Sequence, residues 1–297
     1  MLSAITHRLA EYHRLTKPSI VLLVVITGFA GMAADGSLFT EPLKMLAILV
    51  AISLSAGSAN ALNQFIDRDI DAVMERTKKK RPLPRLQVSP QEALVFGLVL
   101  GVISNLYIWW ASNGIAAAIS VATILFYIFV YTLWLKRRHH YNIVIGGAAG
   151  ATAPLIASAA AFGTPSLISW FLFLIIFFWT PPHFWALALA IKDEYAKVKV
   201  PMLPNVLGDK RTRVEIFWYT VFLLPLTVAP FFLDLTGWIF LVAVLALWLW
   251  YMWETVFQLR LQSVTAYKKL FYVSIGYLFF LFIAAGLDGA VRHFYGS

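Results

Sequence analysis

Asn60, Asn63, Asp67 and Asp71 recur at spacings of three, four and four in NALNQFIDRDIDAVMERTKKKRPLPR (60–85), where an almost uninterrupted apolar sequence suddenly presents three aspartates. Read as the end of a helix, that spacing stacks the four side chains on one face and points Asp69 elsewhere. Carboxylates and amides are hard oxygen ligands, the set that suits Mg²⁺, an ion that commonly binds through one or two carboxylates plus substrate phosphates. Arg76, Lys78, Lys79, Lys80, Arg81 and Arg85 follow directly. Carboxylates holding a divalent ion beside such a cluster make a site for a diphosphate, where metal and cations share the charge of a leaving group. The lysine run alone reads equally as a charged loop that orients the chain in a membrane. Asn63, Asp67 and Asp71 together do not, because carboxylates along one face of an apolar helix end are costly unless used.

A second cluster of the same chemistry, Lys192, Asp193, Glu194, Lys197 and Lys199, ends the run FFWTPPHFWALALAIKDEY. Within that run Pro181 and Pro182 are expected to kink or open a helix and free carbonyls at depth. His183 follows the prolines, beside Trp179, Phe184 and Trp185. An imidazole there suits a haem iron or a planar substrate; the other reading is a histidine that bonds the freed carbonyls. In YTLWLKRRHHYNIVIGG, Tyr131, Lys136 and Asn142 fall at the level of Asp67 and Asp71, Lys136 reading either as a phosphate contact or as a topology anchor. IGGAAGATAPLIASAAA has almost no bulk on one side, which suits tight helix packing or a large flat ligand.

The elements that position these residues follow from composition. Hydrophobic residues make up 60% of the chain and charged residues 13%, against roughly half and a quarter in soluble domains. The fold class expected is an all-α, polytopic integral membrane protein forming one domain over 1–297. A span needs about 20 apolar residues, and nine are read: 18–34, 42–65, 93–111, 115–135, 143–162, 166–191, 214–233, 238–257 and 270–287. With the N-terminus cytoplasmic and the C-terminus outside, all 24 Lys and Arg except Lys44 and Arg292 fall on the cytoplasmic side, as short cytoplasmic loops require. The net charge of +9 therefore reports orientation, and no nucleic-acid partner is implied. MLSAITHRLAEYHRLTK lacks a continuous apolar core with a small-residue cleavage site, so no cleavage is expected. The absence of cysteine excludes disulfides, thiolate metal sites and thioether cofactor links. The two acidic clusters close spans two and six, four helices apart, as in two related four-helix units with a ninth helix appended.

NxxxDRDxDxxMxRT at 63–77, RPLP at 81–84, YNIVIGGAAGA at 141–151, WTPPHFWALAL at 179–189 and VPMLP at 200–204 together resemble the UbiA-type intramembrane prenyltransferases. WTPPHFW with VPMLP is similar to the protohaem IX farnesyltransferase (haem O synthase) branch rather than to relatives that prenylate quinone or chlorophyll precursors. The resemblance implies a nine-helix bundle in the inner membrane, enclosing a cavity open to the cytoplasm and to lipid, where Mg²⁺ holds farnesyl diphosphate. It assigns catalysis to Asn63, Asp67 and Asp71. Metal binding falls to Asp67, Asp71, Asp193 and Glu194, and the diphosphate to Asn63, Arg76, Arg81, Lys136 and Lys192. The wider superfamily's second motif, two aspartates four apart, is broken here: Ala190 stands where the first falls, leaving Asp193 and Glu194. His183, with Trp179 and Asn142, is assigned to haem B, whose vinyl group attacks the farnesyl cation before water completes the adduct. Membrane lipid and a haem A synthase or oxidase assembly factor are the further partners implied. Two alternatives stay open: prenyl transfer to an aromatic quinone precursor, and a haem-binding or transport protein built on the Pro181–Pro182 break.

Overall fold

The apolar runs all fold as helices, and among the described residues there is no strand. The computed structural model describes residues 2–296, with side chains from residue 6. Helix α1 (Leu2–Leu15) meets α2 (Pro18–Ala34) at a 60° bend. Lys17 makes the corner in the left-handed region (φ 53°, ψ 69°), because Pro18 disfavours the right-handed helical region for the residue before it. A one-turn α3 (Ser37–Thr40) leads to α4 (Pro42–Ile66), and α5 (Arg68–Val73) and α6 (Glu75–Lys78) carry the acidic and basic stretch. Helix α7 (Pro90–Ala111) starts in a capping box between Ser89 and Glu92, which satisfies two otherwise orphaned N–H groups.

The fourth span begins as α8 (Gly114–Leu125), widens into a π-helix (Phe126–Trp134) and tightens into a 3₁₀ turn (Leu135–Arg137). The fifth is α9 (Asn142–Gly150) followed by α10 (Ala153–Phe162), and α11 (Leu167–Ala190) is the sixth. After the short α12 (Lys192–Lys197) come α13 (Leu203–Phe232), α14 (Trp238–Leu261) and α15 (Val264–Tyr295). Eight helices are long and apolar enough to cross a membrane, and nine spans result when α1 and α2 count as one bent pair. The opening expected at Pro181 and Pro182 is corrected: α11 runs through both. Proline's fixed φ is itself helical, and a helix packed inside a bundle tolerates missing donors.

Helix α4 lies inside the bundle, against α2, α7, α10 and the π-helix. Its small residues make this possible: a Cβ added at Gly97 of α7 would lie 2.8 Å from Leu62, and one at Gly101 2.6 Å from the Ser58 hydroxyl. Small residues at such crossings let helices approach where lipid offers no hydrophobic drive. One core, with Met45, Ile48, Ile52 and Ile156, fills the N-terminal half. Another, with Trp185, Tyr251, Tyr277 and Phe282, fills the space among α11, α13, α14 and α15. Trp109, Trp110, Val242 and Trp253 point outward, as lipid-facing side chains do.

Candidate active site

Helix α4 ends at Ile66, yet the chain stays in helical register across the cap. The Asp67 N–H donates to the Asn63 carbonyl and the Asp71 N–H to the Asp67 carbonyl, each at 2.9 Å. Asn63, Asp67 and Asp71 therefore share one face as expected, and all three are buried. Asp69 turns outward and pairs with Arg137 at 2.7 Å; that hydrogen bond holds its carboxyl below the usual range.

Charges of both signs interleave along the buried face. Lys136 bonds Asp67 and Arg81 bonds Asp71, while the Asn63 amide donates to Asp67 at 2.8 Å. Lys17 donates to the Asn63 oxygen at 2.7 Å. The π-helix supplies a further contact, since the Thr132 hydroxyl accepts from Asn63 at 3.1 Å and donates back to the Tyr127 carbonyl at 2.8 Å. Widened turns of this kind are frequent at functional sites. This one delivers Thr132 and, one turn on, Lys136 to the acidic row.

The two charged clusters meet. The Arg76 backbone N–H donates to Glu194 at 3.1 Å, and Tyr195 is buried with Ile70 and Met74. Asp193 is exposed, and Lys192 bonds Asp209 at 2.8 Å. Among the described residues no three carboxylate or imidazole groups converge as a metal cage, so Asp193 and Glu194 do not join Asp67 and Asp71 in one ligand group. The first row nonetheless fits a Mg²⁺ ion. Asp67 Oδ1 is buried with no hydrogen-bond partner, on the helical face it shares with Asp71 and Asn63, a donor set of the right hardness.

Two cavities flank the row, one through its bonded partners Lys17 and Arg81 and the other through Asn60. A basic one is lined by Arg14, Lys17, Arg76, Arg81 and Arg85. A small apolar one, about 100 Å³, is lined by Ile52, Ala56, Asn60, Tyr127 and Ile156. Ile20 lines both, so the two lie side by side at the start of α2.

His183 lies apart, on α11. Its ring is buried between Trp179 (centroids 4.3 Å) and Phe271 (4.4 Å), and Nδ1 bonds the Ser274 hydroxyl at 2.7 Å. Trp179 donates to the Ser274 carbonyl at 2.8 Å. Asn142 donates to His139 and Pro201 carbonyls, and its Oδ1 is buried without a partner. The small residues of α9 divide: a Cβ on Gly146 would lie 2.2 Å from the Tyr131 ring and one on Gly147 3.0 Å from Thr180, whereas Ala149 and Gly150 line the apolar cavity.

Sequence alone files Lys17 with the orientation charges and does not single out Thr132 or Tyr127. The legible signal for Lys17 is a Lys-Pro pair at the mouth of a span. Nothing local marks Thr132, whose contact depends on a π-turn 69 residues away from Asn63.

A model of the UbiA prenyltransferase family matches residues 24–283. A protoheme IX farnesyltransferase of Gloeobacter violaceus is 47% identical over 286 residues, spanning 94% of this chain and 92% of its own. One from Acidiphilium cryptum is 45% identical over 95% of this chain and 91% of its own. Among solved structures, a digeranylgeranylglyceryl phosphate synthase superposes with a TM-score of 0.77 at 19% identity, over 95% of this chain and 99% of that one. A UbiA homologue from Archaeoglobus fulgidus, bound to DMAPP and Mg²⁺, gives 0.65 at 16% identity over 93% and 99%. These two likenesses establish the fold. With a buried carboxylate row, a basic mouth and an apolar chamber behind it, in a sequence nearly half identical to named farnesyltransferases over almost its full length, the chain belongs to the UbiA prenyltransferase family.

Proposed function

We propose that this protein transfers the farnesyl group of farnesyl diphosphate to a vinyl group of protohaem IX (haem B), with addition of water, to give haem O. The observation that carries the reading is the buried row of Asn63, Asp67 and Asp71 with Lys17, Arg81 and Lys136 bonded to it, flanked by a basic cavity and an apolar one that share Ile20. The diphosphate binds in the first and the farnesyl chain in the second.

Asn63, Asp67 and Asp71 would hold Mg²⁺, which when bound stabilises the departing diphosphate as a Lewis acid. Lys17, Arg81 and Lys136, already within the row, neutralise phosphate oxygens, and Arg76 and Arg85 extend that field at the mouth. Such charge-assisted bonds are roughly twice as strong as neutral ones. Lys192 reaches the same diphosphate once released from Asp209, and Asp193 and Glu194 supply further negative charge where the clusters meet. As the allylic C–O bond ionises, the face of Tyr127, stacked on Tyr131 with centroids 5.3 Å apart, stabilises the cation. The apolar walls keep bulk water away until the haem vinyl carbon attacks.

The haem-facing set is His183, Trp179 and Asn142. Support comes from the close crossing of α9 and α11 and from the orphaned Asn142 oxygen. Ligation of iron by His183 would use Nε2, since Nδ1 bonds the Ser274 hydroxyl. The N-terminus and basic face are cytoplasmic, in the inner membrane, and the lipid-soluble product passes to a haem A synthase or oxidase assembly factor.

The test is product mass after incubating the purified protein with haem B, farnesyl diphosphate and Mg²⁺, beside a chelated control and Asp67→Asn. Haem gaining one farnesyl group and one hydroxyl group, with diphosphate and a proton released, absent from both controls, is the expected result. Unchanged haem from folded protein, with prenylation of a phenolic acceptor instead, overturns the acceptor assignment.

A further inference from the structure

The basic cavity carries more charge than a diphosphate uses. Lys17 and Arg81, on its wall, and Lys136 are bonded into the carboxylate row, to Asn63, Asp71 and Asp67. Those three cations and two carboxylates leave one positive charge, and a bound Mg²⁺ raises it to three, which balances the charge of roughly −3 on a prenyl diphosphate at neutral pH. Arg14, Arg76, Lys79, Lys80 and Arg85 remain around the same cavity. Lys79 and Lys80 make no side-chain hydrogen bond or ion pair among the described residues. Arg14 and Arg85 share a single carboxylate: Glu11 of α1, 1% exposed, bonds Arg14, and its two oxygens each lie 3.3 Å from Arg85 Nη1. The buried Gln64 amide donates to the carbonyls of Arg14 and Leu15 at 3.3 and 2.8 Å and fixes the backbone that carries Arg14. Glu11 thus presets two guanidiniums on the cavity wall and neutralises one. Each spends its Nη1 on Glu11, which leaves the other donors of a fork that matches carboxylates.

We infer that Arg14 and Arg85, preset by Glu11, bind the propionate carboxylates of the haem acceptor together with Lys79 and Lys80. The inference rests on the reading of haem B as the acceptor. Haem carries its propionates on one edge of the macrocycle and its vinyl groups on the opposite edge. Holding the propionates at the charged mouth therefore turns the vinyl edge away from it, toward the apolar side that shares Ile20. At about 660 Å³ the basic cavity lies in the range that encloses whole small ligands, about 300–1,000 Å³, so a diphosphate head does not use all of it. A neutral acceptor would leave the surplus charge unmatched.

The experiment uses the full-length protein in detergent and compares haem B with its dimethyl ester, in which both propionates are capped and both vinyl groups are intact. The first readout is the Kd of each porphyrin, from quenching of tryptophan fluorescence without farnesyl diphosphate or Mg²⁺, which needs no turnover. The second is the KM of each in the transfer reaction. Wild type is expected to bind haem B about tenfold or more tighter than the ester, the scale of losing charge-assisted hydrogen bonds. Arg14→Gln, and Lys79→Gln with Lys80→Gln, are expected to weaken binding of haem B and leave the ester unchanged, so that the ratio shrinks. KM for farnesyl diphosphate should stay within about twofold in these variants, because the row has its own cations and separate sites act independently. General destabilisation weakens both porphyrins alike and cannot move the ratio, and size-exclusion profiles check that each variant folds. Equal binding of the two porphyrins by wild type, or a ratio unmoved in the folded variants, overturns the propionate site and leaves the cluster as orientation charge, even where haem is farnesylated. Ratios that shift as stated, in a protein that prenylates something other than haem, leave the site standing and overturn the acceptor.

Discussion

Asp67 and Asp69 are two residues apart and do opposite things. Asp67 is fully buried, bonded to Lys136 and Asn63 and 3.9 Å from Arg137. Breaking a buried pair by removing one partner costs about 3–5 kcal/mol, and losing a group that stabilises developing charge costs roughly 10²–10³-fold in rate. Asp67→Asn is therefore expected to abolish transfer within detection and lower Tm. Asp69 is 61% exposed, so its pair with Arg137 contributes about 1 kcal/mol or less. Asp69→Asn should keep activity within about twofold, with a small loss of Tm at neutral pH. Because hydrogen bonding to Arg137 lowers the folded-state pKa of Asp69, that contribution is present above the unfolded value of about 3.9 and vanishes as pH falls through the lowered one. The Tm curves of the two proteins should converge in acid; a variant as inactive as Asp67→Asn would show the helical-face reading to be wrong. That face was legible from spacing because helix geometry fixes which residues stack, whatever surrounds them. The partners were not: Lys17 and Lys136 reach the row from 46 and 69 residues away along the chain.

At the scale of elements, the π-helix is the piece that composition does not announce. FYIFVYTLW reads as ordinary apolar span, and its widened turn follows from packing, where Gly146 of α9 leaves room for the Tyr131 ring. A methyl group at that position falls 2.2 Å from the ring, so Gly146→Ala forces Tyr131, and with it Thr132 and Lys136, to shift. Overpacking of this kind typically costs about 1–3 kcal/mol. The expected outcome is a Tm loss accompanied by a raised KM for farnesyl diphosphate, and partial recovery in Gly146→Ala with Tyr131→Ala, since residues in contact couple. Additive losses in the double variant would separate Gly146 from the site. The small-residue pattern of this span offered packing and ligand space as readings; Gly146 and Gly147 pack, while Ala149 and Gly150 line the apolar cavity.

At the scale of the molecule, α1 is tied across the basic mouth. Buried Glu11 bonds Arg14 and Arg85, and Asn60 and Gln64 of α4 bond the carbonyls of Thr16 and Leu15. The same mouth is lined by seven Lys and Arg, from Arg14 to Arg85, whereas Lys44 and Arg292 lie at the opposite helix ends. The natural chain contains no cysteine, so single-cysteine labelling has no background to correct. Lys79→Cys, exposed at the basic face, is expected to react with an impermeant maleimide only in inverted membrane vesicles. Phe294→Cys, 65% exposed at the other end, is expected to react from outside the intact membrane. The reverse pattern would overturn the assigned orientation.

By itself the sequence determined that the chain is a helical membrane bundle, where its spans run and which carboxylates share a face. Those properties are local: apolar length, charge bias and 3.6-residue periodicity act within a few turns. Tertiary structure decided which cations meet the carboxylates, that α11 passes its two prolines without opening, and that a basic cavity and an apolar one share Ile20. Each of these depends on side chains from helices far apart in sequence arriving at one depth, a packing outcome that no single stretch of residues specifies.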